Sequence, residues 1–462
     1  MPLPQPIGRQ KEVLYLPAQG HFAVLGTAGS GKTTLAILRS TYLANPKTEH
    51  GGKTLLVTFN KTLVTYLQHF QDKKLTNITI ENYHTFARGY LNFRKKMSPG
   101  AILDSDCRDS LVNSAVQEVS QNYPLHHLFN YPIKLFLEEL GLIAKYGINS
   151  CDKYENFCNL ESRFTVEEQE LIFKIYTTYL NLRQKKGKKY DWDDIATAVA
   201  DELDIDTSER LYKHVIIDEG QDFSPQMLRS LAKVIPPNGS LTFFGDVAQQ
   251  IYGHRISWRD AGLNITKVWE FNENYRNTKQ IAKLALAISK MSYFIGVPDL
   301  VEPKAPPADG PSPIIVEFAS IDQEISFIAK QARILARTQN VAILFRDRQD
   351  EKLLQRYLPR ERIRLHRDMR AWQSEPGIRY GTYHSAKGLE FDTVILPFCN
   401  NKKLPNSDVV EALGQADANS QDGRLLYVGV TRAKTRLIIT YCGTITTLLP
   451  TDTSLYERIE DD

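Results

Sequence analysis

The feature that most constrains this chain is the run Gly26-Thr27-Ala28-Gly29-Ser30-Gly31-Lys32-Thr33. An apolar stretch, Phe22-Ala23-Val24-Leu25, precedes it, and a helix-forming stretch, Thr33-Thr34-Leu35-Ala36-Ile37-Leu38-Arg39, follows. Strand, glycine loop and helix in that order are the context of a phosphate-binding loop. Glycines let the backbone turn tightly and aim successive N–H groups at one anion, and the new helix adds the positive end of its dipole. The pattern gives Gly26, Gly29, Ser30 and Gly31 to the phosphate cradle, Lys32 to the β- and γ-phosphates, and the Thr33 hydroxyl to Mg²⁺. A chance glycine-rich turn would not need both flanks, so a nucleoside triphosphate site is the first expectation.

Beyond the loop, Thr54-Leu55-Leu56-Val57-Thr58-Phe59 and Ile78-Thr79-Ile80 read as strands, as do Val215-Ile216-Ile217-Asp218-Glu219 and Leu241-Thr242-Phe243-Phe244-Gly245-Asp246. Strands alternating with helices predict a parallel sheet whose ligands gather at the C-terminal strand ends. An apolar strand ending in two acids, beside a phosphate loop, gives Asp218 the metal and Glu219 the attacking water. From about Phe86 to Lys189 helical periodicity replaces the strand pattern and predicts a helical insertion. It holds Arg94-Lys95-Lys96 and Lys185-Lys186-Gly187-Lys188-Lys189, which read as solvated surface unless they flank a groove. A second set of strand runs includes Ile314-Ile315-Val316-Glu317-Phe318, Val341-Ala342-Ile343-Leu344-Phe345, Thr393-Val394-Ile395-Leu396 and Arg436-Leu437-Ile438-Ile439-Thr440. No glycine loop accompanies it, so it predicts a second α/β domain without a nucleotide loop of its own. The residues from Tyr456 onward read as an acidic tail with no assigned role.

A length of 462 residues is too great for one core and suggests about two to four domains. A net charge of +3 means that any nucleic-acid contact must come from local basic patches. The five cysteines are scattered without metal-ligand spacing, which argues against a zinc or iron–sulfur site and fits a reducing compartment. The N-terminal residues lack the apolar core of a signal peptide, and no run of about 18 apolar residues occurs. The expectation is a cytoplasmic protein with no membrane contact.

Further segments make the pattern more specific: Val57-Thr58-Phe59-Asn60-Lys61, Tyr83-His84-Thr85-Phe86, Asp218-Glu219-Gly220-Gln221-Asp222 and Gly245-Asp246-Val247-Ala248-Gln249-Gln250-Ile251-Tyr252-Gly253. Asn274-Tyr275-Arg276-Asn277, His384-Ser385-Ala386-Lys387-Gly388-Leu389-Glu390-Phe391 and Tyr427-Val428-Gly429-Val430-Thr431-Arg432-Ala433-Lys434 follow in order. Together with the glycine loop, these resemble the UvrD/Rep family of superfamily 1 DNA helicases over nearly the whole chain. The resemblance implies an α/β fold of two RecA-like parallel-sheet domains with ATP in the cleft between them, and a helical insertion in the first. The first domain is expected at residues 1–85 and 190–272, the insertion at 86–189 and the second domain at 273–462.

Under the same resemblance Arg276 and Arg432 reach the γ-phosphate, Gln249 senses it, and Glu390 contacts the ribose. Tyr275 stacks on the adenine, Gln10 reads its edge, and Thr34 stands where several relatives have an adenine-stacking arginine. ATP and Mg²⁺ are the implied cofactors. Phe59, Asn60, Tyr83, His84, Tyr252 and Trp258 are the candidates for holding nucleic acid across the top of both domains, with core packing a close alternative for any one aromatic. Single-stranded DNA is the implied partner, with RNA left open, and movement is implied to be 3′ to 5′.

The chain departs from the family in one large respect. Relatives carry a helical accessory insertion in the second domain, whereas here only residues 346–382 fill that interval, too few for a core of their own. An active translocase that unwinds weakly alone is therefore expected, in repair, recombination or antiphage defence. The alternative is an ATP-switched nucleic-acid-binding subunit of a nuclease or defence complex, completed by a protein partner. Gly220 also replaces a larger residue common in relatives, and Asp191 in Asp191-Trp192-Asp193-Asp194 reads as a helix cap and not as part of a nuclease site.

Overall fold

A computed structural model describes residues 5–6, 8–27, 29–70, 77–158, 164–246, 258–259, 261–271, 274, 276–294, 308–358, 362–366, 369 and 371–460. Its first sheet is built from β1 (Gly20–Gly26), β2 (Thr54–Thr58), β3 (Ile78–Asn82), β4 (His214–Ile217), β5 (Ser240–Gly245) and β6 (Ile265–Phe271). These strands lie in the order β3-β2-β4-β5-β1-β6, and every neighbouring pair is parallel. β2, β4 and β5 are buried along their whole length, as strands covered by helices on both faces must be.

The helices α1 (Arg9–Leu14), α2 (Lys32–Leu43), α3 (Lys61–Phe70) and α4 (Tyr83–Phe93) accompany this sheet. α4 begins at Asn82, whose side chain accepts the Thr85 amide, and it packs Tyr83, Phe86 and Leu91 into the core of the first sheet. α5 (Ser105–Ser120), α6 (Ile133–Tyr146), α7 (Cys151–Cys158) and α8 (Val166–Lys185) form a separate helical body. Its own core runs from Leu103 to Tyr179. A capping box of Thr165 and Glu168 starts α8, and Gly147 closes α6 in the left-handed conformation. α9 (Ile195–Ile205) returns the chain to the first sheet.

The second sheet contains β7 (Ile314–Phe318), β8 (Asn340–Phe345), β9 (Ile363–Arg364), β10 (Gly377–Thr382), β11 (Phe391–Leu396), β12 (Ala433–Cys442) and β13 (Glu457–Glu460). Its order is β13-β7-β12-β11-β8-β10-β9, again parallel throughout. Three of these strands were not legible in the sequence. β10 sits between β8 and β9 although it carries two glycines and a buried arginine, Arg379. The acidic tail is no free end, since β13 pairs with β7 and Tyr456 is buried beside it. Both sheets are thus the α/β, RecA-like kind.

Candidate active site

β5 is hydrogen-bonded to both β1 and β4, so the C-terminal ends of all three strands lie together. They bring the glycine loop, Asp246 and the Asp218-Glu219 pair to one place. Gly29 and Gly31 both have φ of +84°, open to glycine at no steric cost. A Cβ on Gly29 would stand 2.3 Å from Asn274 Oδ1, so only glycine lets the segment after β6 close on the loop. Lys32 Nζ donates to the Gly26 and Thr27 carbonyls at 2.8 and 2.7 Å and lies 3.8 Å from Asp246. Burial pulls the Lys32 pKa down, against the opposing fields of Asp246 and Glu219.

Asp218 is buried at the end of β4, with a hydrogen bond from Thr33. Burial, and then Glu219 beside it, pushes the Asp218 carboxyl up to about 7. Glu219 has φ of 54°, an uncommon conformation for a residue with a side chain. Gln221 fixes this corner: its amide nitrogen donates to Glu219, and its oxygen accepts the Asp246 N–H at 2.9 Å.

Arg276 and Arg432 face this group. Arg276 pairs with Glu390 at 2.6 Å, and Lys434 stands 3.6 Å from the other Glu390 oxygen. Burial raises the Glu390 carboxyl, but Arg276 and Lys434 outweigh it and hold it below the usual range. Arg432 is buried, bonded to the Val428 and Leu389 carbonyls and the Thr431 hydroxyl. Burial, reinforced by Arg276, lowers its pKa to about 10, while Glu219, Glu390 and Asp246 pull it back up. Asn274 and Asn277 were missed in the sequence as positioning residues. Asn274 donates to Asn277 at 2.8 Å and accepts the Arg276 amide at 2.9 Å, and Asn277 donates to the Thr431 and Ala433 carbonyls. This side-chain pair ties Arg276 to the segment carrying Arg432.

Gln10 reaches the glycine loop, donating to the Ser30 carbonyl at 3.1 Å, and Thr34 lies half-buried in the first turn of α2. Gln249, Tyr252 and Tyr275 lie outside the described residues. Thr27 Oγ1, Ser30 Oγ, Asp218 Oδ2 and Arg276 Nε are buried without a hydrogen-bond partner among the described residues. An orphaned buried polar atom costs about 1–3 kcal/mol. Triphosphate oxygens would satisfy the hydroxyls and the guanidinium, and a divalent cation the carboxylate, so this residue set fits ATP with Mg²⁺.

The nucleic-acid candidates divide. Tyr83 is wholly buried, its hydroxyl 2.6 Å from Ser230, so it belongs to the core and cannot stack on a base. Asn60 directs its amide to the carbonyls of His384, Ser385 and Lys387 at 3.2–3.3 Å and so links the two halves. Trp258 leans on Phe243, ring centres 4.9 Å apart. Phe59 and His84, both half-buried, lie 5.5 Å apart between ring centres, and His84 meets Trp192 at 5.1 Å. Trp192 is 37% exposed and completes a three-ring patch. Its position in an acidic run hid it, because Asp191 accepts the amides of Asp193 and Asp194 and bonds Tyr179 at 2.6 Å, while Arg183 pairs with Asp194. Asp191 therefore caps the turn before α9 and anchors a buried ionic network that leaves the indole outside. Next to Phe59, a cavity of about 280 Å³ between the halves is lined by Lys61, Arg348, Arg364, His366 and His384.

The chain is similar to known DNA helicases. The probable DNA helicase II homolog of Mycoplasma capricolum is 25% identical over 354 residues, covering 70% of this chain and 46% of that protein. The probable DNA helicase of Mycoplasma pneumoniae is 23% identical over 457 residues, covering 90% of this chain and 79% of its own length. An ATP-dependent helicase/nuclease component of Lactococcus lactis is 26% identical over 224 residues, which are 46% of this chain and 17% of that one. The chain thus spans about half the length of the first of these relatives. The UvrD/REP helicase N-terminal domain matches residues 8–273, and the UvrD-like helicase C-terminal domain matches residues 269–370 and 365–444. With the first of these matches alone covering more than half of it, the chain belongs to the UvrD/Rep helicase family.

Proposed function

We propose that this chain is an ATP-driven motor on single-stranded DNA, a DNA-dependent ATPase of the helicase class that moves 3′ to 5′ and serves repair, recombination or antiphage defence from the cytoplasm. The observation that carries the reading is the meeting of two charge sets in one cleft: Lys32, Asp218 and Glu219 at the strand ends of the first sheet, and Arg276 and Arg432, which the Asn274–Asn277 pair ties together. Mg²⁺, held through Thr33 and Asp218, would screen the phosphate charge and polarise the bond to be cleaved. Glu219 would take a proton from the attacking water. Lys32 would leave the loop carbonyls for the phosphates, and the two arginines would stabilise the charge that develops on the transferred group. Gln249 and Tyr275 complete the proposed set as phosphate sensor and adenine stack.

Because Arg276 and Arg432 belong to the half that also carries Lys387 and His384, closing on nucleotide would shift the wall that faces Phe59 in the cavity between the halves. Stacking on rings tolerates any base sequence, as a translocase requires. The short 346–382 segment and the helicase/nuclease relative favour one second reading, an ATP-switched component of a larger complex.

The test is the steady-state ATPase rate with no polymer, with single-stranded DNA and with single-stranded RNA, with Lys32→Ala and Glu219→Gln as controls. We expect strong stimulation by DNA, lost in both variants, with Lys32→Ala still binding DNA. No stimulation by either polymer sinks the motor reading and favours the switch; stimulation by RNA alone reassigns the track.

A further inference from the structure

Arg39 lies on α2 two turns beyond Lys32 and is completely buried. A buried guanidinium ordinarily has a carboxylate partner, because an unpaired charge is costly to desolvate. Arg39 instead has five acceptors of another kind. Nε donates to Thr242 Oγ1 on β5 at 2.8 Å. Nη1 donates to the carbonyls of Val13, Leu14 and Leu16 at 3.4, 3.1 and 3.0 Å, and Nη2 to that of Pro17 at 2.9 Å. The four carbonyls belong to the last turn of α1 and the chain just after it.

Carbonyls in the last turn of a helix have no partner within it. α1 has only six residues, too short to persist unaided, and Val13 is its one buried side chain. Arg39 therefore supplies most of the polar anchorage of α1. One turn before Val13 and Leu14 stands Gln10, whose Nε2 is 3.1 Å from the Ser30 carbonyl and 3.1 Å from where a Cβ on Gly31 would be. A single helix thus carries the phosphate-binding lysine at its start and, two turns later, the residue that fixes the glutamine beside the loop. A carboxamide offers one donor and one acceptor, the pair that matches adenine N7 and N6; guanine presents two acceptors at N7 and O6.

We propose that Arg39 is a positioning residue for base selectivity: by holding α1 against α2 and β5, it sets the Gln10 amide where it favours adenine over guanine nucleotides. This rests on the reading of the glycine loop as a nucleotide site and of Gln10 as the residue at the base edge, but not on turnover. A loss of general stability would weaken ATP and GTP alike, whereas a displaced Gln10 changes their ratio.

The experiment is equilibrium competition of Mg·ATP and Mg·GTP against a fluorescent adenine nucleotide, on the full chain, with melting curves as a folding control. Wild type should prefer ATP, and Gln10→Ala should reduce that preference about tenfold, the worth of one good bidentate contact. Arg39→Lys keeps the charge but can reach at most three of the five acceptors, and should reduce the preference by a similar factor. The double variant should lose no more than Gln10→Ala alone. Thr242→Val removes one bond and should move the ratio the same way by less; if Arg39→Lys does not fold, it carries the test. A folded Arg39→Lys with the wild-type ratio overturns the proposal, as do multiplying losses in the double variant or a wild type indifferent to the base. Selective ATP binding with no DNA-stimulated hydrolysis would remove the motor reading and leave this one standing.

Discussion

Asp218 carries a raised pKa at the centre of the cleft, and the sign of its effect on stability follows. Its folded-state pKa, about 7, lies above the ordinary value, so its contribution is fully present below the unfolded pKa and is lost as pH rises through about 7. Asp218→Asn should therefore stabilise the nucleotide-free protein more at pH 8 than at pH 5, and thermal melts at the two values test it; a gap that stays constant would show that the carboxyl is not protonated in the fold. That Lys32, Thr33, Asp218 and Glu219 meet at the ends of neighbouring strands was legible, because it depends on local order along the chain. Tyr83 and Trp192 were not, since the side of an element that faces water is decided by what packs on the other side. Gly220 is explained only by the fold: a Cβ there would stand 2.2 Å from the Phe243 ring.

At the scale of elements, α3 bridges the two halves. Asn60, just before α3, bonds three carbonyls of the 384–387 turn, and a Cβ on Gly388 would meet the Leu63 side chain at 2.5 Å. Further along, Thr65 donates to the Met369 carbonyl at 3.1 Å, Tyr66 meets Trp372 edge-on at 5.0 Å, and His69 lies 3.2 Å from the Ser374 hydroxyl. The short 346–382 segment is thus laid against the first half. Beneath it, Lys387 and Asp222 form a buried ion pair across the cleft. Lys387→Met leaves the Asp222 charge buried and alone, and should cost about 3–5 kcal/mol in urea unfolding, whereas Asp222→Leu combined with Lys387→Met should recover most of it. Equal losses in the single and double variants would contradict a shared pair. β10 escaped the sequence reading for a related reason: Arg379 is buried in it because Asn340 and the Gln373 and Glu375 carbonyls accept its hydrogens. Asn340 lies 39 residues away, and the two carbonyls belong to the irregular run just before the strand, so no strand pattern announces them.

For the whole molecule, the order of motifs made two α/β halves readable, while the way they share apolar surface was not. One continuous core runs from Val24 and Leu35 through Phe271 and Ile281 to Leu344, Phe391 and Ile439, and so belongs to both sheets. The helical body keeps a core of its own, touched from the second half by Leu413. The described part of residues 346–382 holds one short helix (Arg348–Gln355), β9, β10 and the contacts to α3, too little for a core of its own that could grip a duplex ahead of the proposed motor. A monomer should therefore hydrolyse ATP on single strands yet displace a strand poorly; a strand-displacement assay under single-turnover conditions decides, and efficient unwinding by the lone chain would refute it.

The shared core has a thermal consequence. Any opening of the cleft that wets part of it increases the heat capacity, and the apolar attraction resisting that opening weakens on cooling. Warming within the stable range favours the shut form and chilling the open one, so temperature acts on the same equilibrium as the nucleotide.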